Sequence, residues 1–309
     1  MSACDSVLLI AFGGPEKPED IRPFLRIVTA GRPVPPERIE EVARHYEAIG
    51  GRSPLNELTF LQAAGLRRVL KRDGISQPVY VGMRNWHPFF HEALEEMKAQ
   101  GHRRALGIIL SSFQTEASWE RYVSDVAAAR EKVGHGAPEV VYAPPWCDHP
   151  RFIEAMVDRV TEALSRVAPG RRRAAPLVFT AHSVPRAMAD ASPYVQQFTA
   201  ASRTVAGRFD HPRWTEAYQS RSGSPNDAWL EPDISDVLRS LAREGLSEVV
   251  VVPIGFVCDH VEVLYDLDVE ARRVAEGLGL GFHRATAAND HPAFVEMLAD
   301  LVRAGLRPS

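Results

Sequence analysis

Eight short runs of β-branched and other apolar residues, separated by longer amphipathic stretches, constrain the fold of this chain more than any other feature. The predicted strands are Ser6–Ala11, Pro78–Gly82, Ala105–Leu110, Val140–Ala143, Pro176–Thr180, Glu216–Gln219, Glu248–Pro253 and Leu280–Ala285. The helical patterns include Pro35–Ile49, Leu55–Lys71, His87–Gln100, Pro150–Val167, Trp229–Glu244 and Pro292–Ala304. Strands that alternate with helices form parallel sheets covered on both faces. The pattern therefore predicts an α/β fold.

The strands fall into two sets of four, separated at Ala143–Pro150, where prolines interrupt the pattern. We predict two Rossmann-like domains, residues 1–145 and 146–290, each a four-stranded parallel sheet flanked by helices. Residues 291–309 are expected to form a C-terminal helix that packs back on the first domain. Ligands of open parallel sheets bind beyond the carboxyl ends of the strands, so we expect the site in a cleft between the two domains.

Composition excludes several classes of protein for this chain of 309 residues. Its net charge is −4 and no basic block stands out, so nucleic acid is not an expected partner. No apolar run is long enough for a transmembrane segment, and the first strand follows the N-terminus without a charged leader. A cytoplasmic location is therefore expected. The chain has three widely separated cysteines. A disulfide framework, a structural zinc site and a usual iron–sulfur cluster are therefore not expected.

A row of carboxylates follows the strand Glu248–Pro253, in the segment PIGFVCDHVEVLYDLDVEA. In a continuous α-helix, Glu262, Asp266 and Glu270 would lie on one face, just beyond Asp259 and His260. Like charges at this spacing repel, so a purely structural helix gains nothing from them. Carboxylates beside a histidine suit a divalent cation or a path for protons. The alternative is a solvated acidic helix face.

His182 follows the strand PLVFT in the segment FTAHSVP, and its imidazole can accept a proton or bind a borderline metal. The alternative is a packed or capping histidine. Arg221, in YQSRSG, could hold a carboxylate of a ligand, or it could pair with an acidic side chain of its own loop. Ser53 is expected to cap a helix. Neither a dinucleotide fingerprint nor a P-loop nor a nucleophile elbow is present.

Taken together, LLIAFGGP, YEAIGGRSPL, FTAHSVP, YQSRSG and PIGFVCDHVEVLYDLDVEA resemble the ferrochelatase family, enzymes that insert ferrous iron into a porphyrin. These stretches span nearly the whole chain in the family's order. The resemblance implies two Rossmann-like domains with a porphyrin cleft between them. It also implies that His182 is the catalytic histidine, that Glu262 is its acidic partner and that His260 belongs to the same cluster. The implied metal-guiding residues are His182, Glu262, Asp266 and Glu270.

Within that family the chain resembles the compact, soluble coproporphyrin III type, because the stretch between Pro23 and Ala48 lacks a long hydrophobic lip. It also lacks the cluster cysteines of some relatives, so no resident cofactor is expected, and porphyrin and Fe²⁺ are the implied substrates. The residues in segments that would contact the porphyrin are Phe12, Arg32, His45, Tyr46, Ser53, Ser112, Trp119 and Arg221. We expect a monomer, with transient contacts to neighbouring enzymes of heme biosynthesis.

The chain departs from the soluble type at two positions, so the identity of its porphyrin substrate is not decided by the resemblance. Many soluble members carry a tyrosine where this chain has Phe12, and Thr29-Ala30 replaces a basic residue found in some members. Protoporphyrin IX therefore remains an alternative substrate. Metal insertion into sirohydrochlorin is a more distant alternative, and a non-catalytic porphyrin or heme carrier is an alternative of another class.

Overall fold

The computed structural model describes residues 4–209, 211, 213–223 and 227–306. It contains two four-stranded parallel sheets with equivalent strand orders, β2-β1-β3-β4 and β6-β5-β7-β8. The strands of the first sheet are β1 Ser6–Ala11, β2 Val79–Met83, β3 Arg104–Ile109 and β4 Glu139–Tyr142. Those of the second are β5 Leu177–His182, β6 Trp214–Gln219, β7 Glu248–Val252 and β8 Gly281–Arg284. The predicted α/β class with two parallel sheets is confirmed.

Helices connect and flank these strands. The α-helices described are α1 Ile21–Val28, α2 Pro36–Ala48, α3 Leu55–Arg72, α4 Phe90–Ala99, α5 Arg121–Val133, α6 Pro150–Ser165, α7 Arg186–Asp190, α8 Tyr194–Gly207, α9 Ile234–Arg243, α10 Val261–Leu264, α11 Arg272–Gly277 and α12 Pro292–Gly305. Two π-helices, Glu116–Glu120 and Asp266–Ala271, and two 3₁₀ turns, Pro18–Asp20 and Pro169–Arg171, complete the set. Of the described helices, none is long and apolar enough to cross a bilayer.

Each of the eight predicted strands is present, with its ends within two residues of the prediction. The strands are easy to predict from the sequence because parallel strands are buried on both faces and therefore consist of continuous apolar runs. All six residues of β1 are buried, and so are four of the five residues of β7.

Two predicted helices begin later than expected. α4 begins at Phe90 rather than His87, and α9 begins at Ile234 rather than Trp229. A proline disfavours helical backbone in the residue before it, and Pro88 and Pro232 fall inside these two predicted stretches. The structure also contains α1, α5, α7 and α8, which the sequence pattern does not single out.

The expected continuous α-helix through Glu262, Asp266 and Glu270 is wrong in its helix type. α10 has only four residues, and the chain then passes into the π-helix Asp266–Ala271. The N–H of Glu270 accordingly bonds to the carbonyl of Tyr265, five residues back, at 3.0 Å. π-Helical turns are rare and occur frequently at functional sites. On the apolar side of the π-helix, Leu267 packs into the core of the second sheet.

Contacts between residues divide the chain into two compact units. The first comprises Met1–Ser111, Ala117–Pro145 and Asp290–Ser309, and the second comprises Ser112–Glu116 and Trp146–Asn289. Within the first unit, α12 packs against α3. Gly65 of α3 allows this close approach, since a Cβ there would lie 3.0 Å from the methyl groups of Val295. Arg72 and Glu296 form an ion pair of 2.7 Å between the same two helices.

Candidate functional site

The second sheet brings polar residues together at its carboxyl edge. β5 ends at His182, and β6 ends at Gln219, which lies directly beside His182 in the parallel register. The chain after β7 crosses the end of β5, where the N–H of Gly255 donates to the carbonyl of Thr180 at 3.0 Å. A Cβ on Gly255 would lie 2.6 Å from the backbone of Ala181, so only glycine permits this crossing. The crossing leads directly into the segment that carries His260 and Glu262.

His182 and Glu262 form the central pair of this site. Nδ1 of His182 lies 2.5 Å from the carbonyl oxygen of Ser183, which can only accept, so Nδ1 donates a hydrogen bond there. Nε2 then lies 3.5 Å from Oε1 of Glu262. The hydroxyl of Tyr194 donates to the His182 carbonyl at 2.9 Å and helps to hold the strand end. The side chains of His182 and Glu262 are 27% and 38% exposed, so both remain accessible.

The electrostatics of this pair favour an imidazolium beside a carboxylate. Burial works against the charge on His182, but the Glu262 carboxylate outweighs it and raises the pKa of the imidazole. Burial likewise opposes the charge on Glu262, yet His182 and, less strongly, His260 lower the pKa of that carboxyl to about 2. Each group of the pair thus favours the charged form of the other.

Two neighbouring groups, His260 and Asp266, have pKa values shifted towards their neutral forms instead. Burial lowers the pKa of His260, and its Nδ1 accepts a hydrogen bond from the N–H of Glu262 at 3.2 Å, so this imidazole caps α10 in its neutral form. Burial, reinforced by Glu262 and Glu270, raises the pKa of Asp266 to about 7, although the hydroxyl of Ser220 donates to this carboxyl. Titratable groups whose pKa values are pushed apart are typical of acid–base sites.

The predicted metal-guiding residues are arranged as a chain rather than as a closed cage. Glu262 and Asp266 are half-buried, whereas Glu270 is exposed. Across the described ranges, no group of three or more His, Cys, Asp and Glu side chains is placed to hold a metal ion. The arrangement suits groups that exchange protons or pass a cation along, and it leaves Nε2 of His182 and the Glu262 carboxylate accessible.

A buried ionic network behind the site was not predicted from the sequence. Arg284, at the end of β8, donates to Asp259 at 2.9 Å and to Asp268 of the π-helix at 2.7 Å. Asn289 donates to Asp259 at 2.9 Å and accepts from its N–H at 2.8 Å. The network ties Asp259, the residue before His260, to Asp268 of the π-helix. No sequence signal distinguishes Arg284 from a surface arginine, because its burial arises only from tertiary packing.

The carboxyl end of β1, in the first unit, carries aromatic rather than titratable side chains. Phe12 is 40% exposed and packs edge-on against the buried Phe24, with ring centroids 6.4 Å apart. Tyr46 and Trp86 pack edge-on against the same ring at 6.0 and 6.2 Å. Of the predicted porphyrin contacts, Phe12 and Tyr46 are therefore joined through Phe24, although Tyr46 itself is buried.

Arg32 and His45 occupy separate positions in the first unit. Arg32 is exposed, and its guanidinium donates to the carbonyl of Val28 at the end of α1. His45 lies half-buried on α2, where burial and the charge of Arg38 lower the pKa of its imidazole. Arg32 presents a positive charge to solvent, whereas His45 is favoured as a neutral side chain.

Ser53 and Trp119 are fixed by local packing. Ser53 is buried, and its hydroxyl accepts from the N–H of Leu55 at 3.3 Å, at the start of α3. The expected N-cap role of Ser53 is wrong by one residue, because Pro54 is the N-cap of α3 and the Ser53 hydroxyl contacts only the first helical N–H. Trp119 lies half-buried in the π-helix Glu116–Glu120 and packs against the core of the first sheet.

The other two predicted porphyrin contacts belong to the second unit. Ser112 is buried. Arg221 is exposed, and its guanidinium lies 5.9 Å above the ring of Trp229, with a hydrogen bond to the carbonyl of Asp227 at 3.3 Å. Both contacts hold Arg221 within its own loop region.

Solved structures of low sequence identity share this fold. SirB from Bacillus subtilis, determined with Fe³⁺, matches with a TM-score of 0.61 at 12% identity, over 97% of this chain and 95% of that one. DR2241 from Deinococcus radiodurans, described as structurally similar to chelatases, matches with a TM-score of 0.62 at 14% identity, over 100% of this chain and 56% of that one. These likenesses support the fold alone.

Sequence relatives are much closer. A protein of Rhodopirellula baltica named ferrochelatase is 43% identical over 97% of this chain and 85% of its own length. One of Mycobacterium avium named coproporphyrin III ferrochelatase is 44% identical over 99% of this chain and 90% of its own length. The family model for ferrochelatase matches residues 4–306. With the paired imidazole and carboxylate at the strand ends, these matches show that the chain belongs to the ferrochelatase family.

Proposed function

We propose that this protein inserts ferrous iron into coproporphyrin III and releases coproheme. The observation that carries the proposal is the accessible pair of His182 and Glu262, with 3.5 Å between Nε2 and Oε1, at the carboxyl edge of the second sheet. Relatives at 44% identity named coproporphyrin III ferrochelatase support this porphyrin. Mere binding of a porphyrin would not require a base and a carboxylate side by side, which argues against a carrier.

The reaction exchanges one Fe²⁺ for the two pyrrole N–H protons of the free-base porphyrin, so two protons must leave the ring. In this proposal, His182 accepts a pyrrole proton at Nε2 and Glu262 stabilises the resulting imidazolium. Each pyrrole proton that His182 takes up must then pass to another group, so that the imidazole can accept the second one. Asp266, with a pKa of about 7, is suited to accept it, and the exposed Glu270 continues the path to solvent.

The same side chains are our candidates for guiding the incoming iron. Imidazole nitrogen and carboxylate oxygen are suitable ligands for a borderline divalent cation. His182, Glu262, Asp266 and Glu270 supply these atoms in sequence from the strand end to the surface. His260 supports them by capping α10, through its contact with the N–H of Glu262.

The proposed contacts to the porphyrin are Phe12, Arg32, His45, Tyr46, Ser53, Ser112, Trp119 and Arg221. Coproporphyrin III carries four propionates, and the exposed guanidinium groups of Arg32 and Arg221 offer complementary charge. The phenyl ring of Phe12 has no ligand atom, so an axial ligand of the product iron would come from His182 or water. We further propose that the protein acts as a cytoplasmic monomer without a resident cofactor, since iron is its substrate.

The test is anaerobic Fe²⁺ insertion followed by absorbance, with coproporphyrin III and protoporphyrin IX offered in parallel. We expect wild type to prefer coproporphyrin III and His182→Ala to lose at least about 100-fold in kcat, as removal of a general base does. His211→Ala changes a half-buried histidine of the same unit, whose ring contacts the backbone carbonyls of Arg213 and Arg172, and this control should retain the rate.

Each other outcome has a defined meaning. Faster insertion into protoporphyrin IX would assign that porphyrin as the substrate instead. Binding of both porphyrins without insertion into either would contradict the enzyme and identify a carrier. Full activity of His182→Ala would remove this histidine from the mechanism.

A further inference from the structure

Gln219, the last residue of β6, bonds to the backbone of Glu262 and to the backbone of Ser183, the residue that follows His182. Its carbonyl accepts a hydrogen bond from the N–H of Ser183, the residue after His182, at 2.7 Å. Its side-chain amide Nε2 donates to the carbonyl oxygen of Glu262. The residue is only 1% exposed. One buried residue thus joins the two elements: its backbone bonds to the end of the strand that carries His182, and its side chain bonds to the helix that carries Glu262.

The side-chain carbonyl oxygen of Gln219, Oε1, indicates why a glutamine is present. This atom is buried, and no donor among the described residues reaches it. Leaving a buried acceptor unpaired costs about 1–3 kcal/mol, which an apolar side chain of the same shape would avoid. Packing alone therefore does not explain a glutamine here. The hydrogen bond from Nε2 to the Glu262 backbone does.

The helix that bears Glu262 needs such an external contact. α10 has four residues and passes directly into the π-helix, so it has little stability of its own. The next residue of the strand end, Ser220, adds a second contact, because its hydroxyl donates to Asp266. Ser220 has a φ of 63°, a left-handed conformation that is uncommon outside glycine. Two consecutive residues at the end of β6 thus hold the helix that carries the carboxylates.

We infer that Gln219 is a positioning residue for metal insertion, which fixes the separation of His182 and Glu262. It acts through the backbone of Glu262, and so affects the proton-transfer step more than porphyrin binding. This inference rests on the proposed function, since its readout is insertion of iron. Groups that orient a reacting residue typically contribute 10–100-fold to activity.

The test replaces Gln219 by methionine, which has similar length and lacks the amide donor. We expect Gln219→Met to lower kcat about 10–100-fold, with the porphyrin KM and the affinity from fluorescence quenching within about twofold of wild type. Gln219→Asn keeps an amide but shortens its reach by one methylene group. It should also lower kcat, and it serves as the deciding variant if Gln219→Met does not fold.

The matched control is Thr199→Val. The Thr199 hydroxyl donates to Glu216 on the same strand at 3.1 Å, three residues before Gln219. Losing this bond should reduce thermal stability while leaving kcat unchanged, because it does not contact the helix of Glu262. If Thr199→Val lowered kcat as much as Gln219→Met does, any weakening of β6 would impair the enzyme. That result would overturn the inference.

Three further results are decisive. Wild-type kcat in folded Gln219→Met or in Gln219→Asn would show that the contact does not position the pair. A loss confined to porphyrin affinity would assign Gln219 to substrate binding instead and would also overturn the inference. Failure of the wild-type protein to insert iron into any porphyrin would contradict the proposed function. Activity in wild type with full activity in the Gln219 variants would contradict only the role of Gln219.

Discussion

The two units share one topology and differ in the side chains at their strand ends. Both sheets place the first of their strands between the second and third, in the orders β2-β1-β3-β4 and β6-β5-β7-β8. Beyond β1, the first unit exposes Phe12 on a cluster of aromatic rings. At the end of β5 and beyond β7, the second unit instead has His182 and Glu262. The same backbone topology thus forms the carboxyl edge of both sheets, and the side chains at each edge decide what chemistry that edge can perform.

The units also differ in how they hold their charges. In the second unit, Arg284 is 10% exposed and pairs with two carboxylates behind the site. In the first unit, Arg72 is 58% exposed and pairs with Glu296 on the surface of α12. Buried ion pairs are strongly destabilising when one partner is removed, whereas exposed pairs contribute little. The ionic network of the second unit should therefore be the more sensitive one.

The largest effect is expected for Glu262→Gln, which removes the carboxylate and preserves the shape of the side chain. We expect kcat for iron insertion to fall on the order of a thousand-fold, since the imidazolium of His182 loses its stabilising partner. Because Glu262 raises the pKa of His182, the substitution should also lower that pKa. Kinetics and NMR titration of the imidazole measure the two effects. A kcat within tenfold of wild type would contradict the assigned role.

Phe12→Leu provides the contrasting variant in the first unit. It keeps an apolar side chain at the end of β1 but removes the edge-on contact with Phe24. We expect the KM for the porphyrin to rise a few-fold, in line with about 1 kcal/mol for an aromatic contact, with kcat nearly unchanged. A loss of kcat as large as that of Glu262→Gln would break the distinction between the two strand ends.

Arg284→Met should give the largest loss of stability. Asp259 and Asp268 would remain close together without their shared cation, so the free energy of unfolding should fall by about 3 kcal/mol. Urea denaturation followed by circular dichroism measures the change. Arg72→Met is the matched control and should cost at most about 1 kcal/mol, because the Arg72 side chain is exposed to solvent. Equal losses in the two variants would contradict the contrast between buried and surface pairs.

The smallest effect concerns the amino-terminal end of β7, away from the site. Glu248 bonds to His283 at 2.9 Å and to Arg171 at 3.1 Å, and these contacts lower the pKa of its carboxyl from the usual 4.5. A lowered pKa contributes stability above pH 4.5 that is lost as the pH falls through the folded-state value.

Glu248→Gln should therefore melt a few degrees below wild type at pH 6 and approach it on acidification. Differential scanning calorimetry across this range tests the sign. Parallel melting curves for the two proteins would show that the Glu248 carboxylate is not linked to folding.

Much of the fold was predictable because its signals are local. The β-branched runs predicted all eight strands, and their alternation with helices predicted the parallel sheets. Helix ends were less predictable where Pro88 and Pro232 fall within amphipathic stretches. The α-helical expectation for the carboxylate row failed because its side-chain pattern does not distinguish an α-turn from a π-turn.

The sequence by itself determined the class of fold, the residue types at the strand ends and, through motifs that resemble ferrochelatases, the family that the comparisons then showed. Only the tertiary structure decided which atoms meet: Nε2 of His182 with Glu262, the amide of Gln219 with the Glu262 backbone, and Arg284 with Asp259. Periodicity and propensity report on neighbours along the chain. The contacts that β5, β6 and β8 make with Glu262 and Asp259 join residues tens of positions apart, and they form only when the sheet packs.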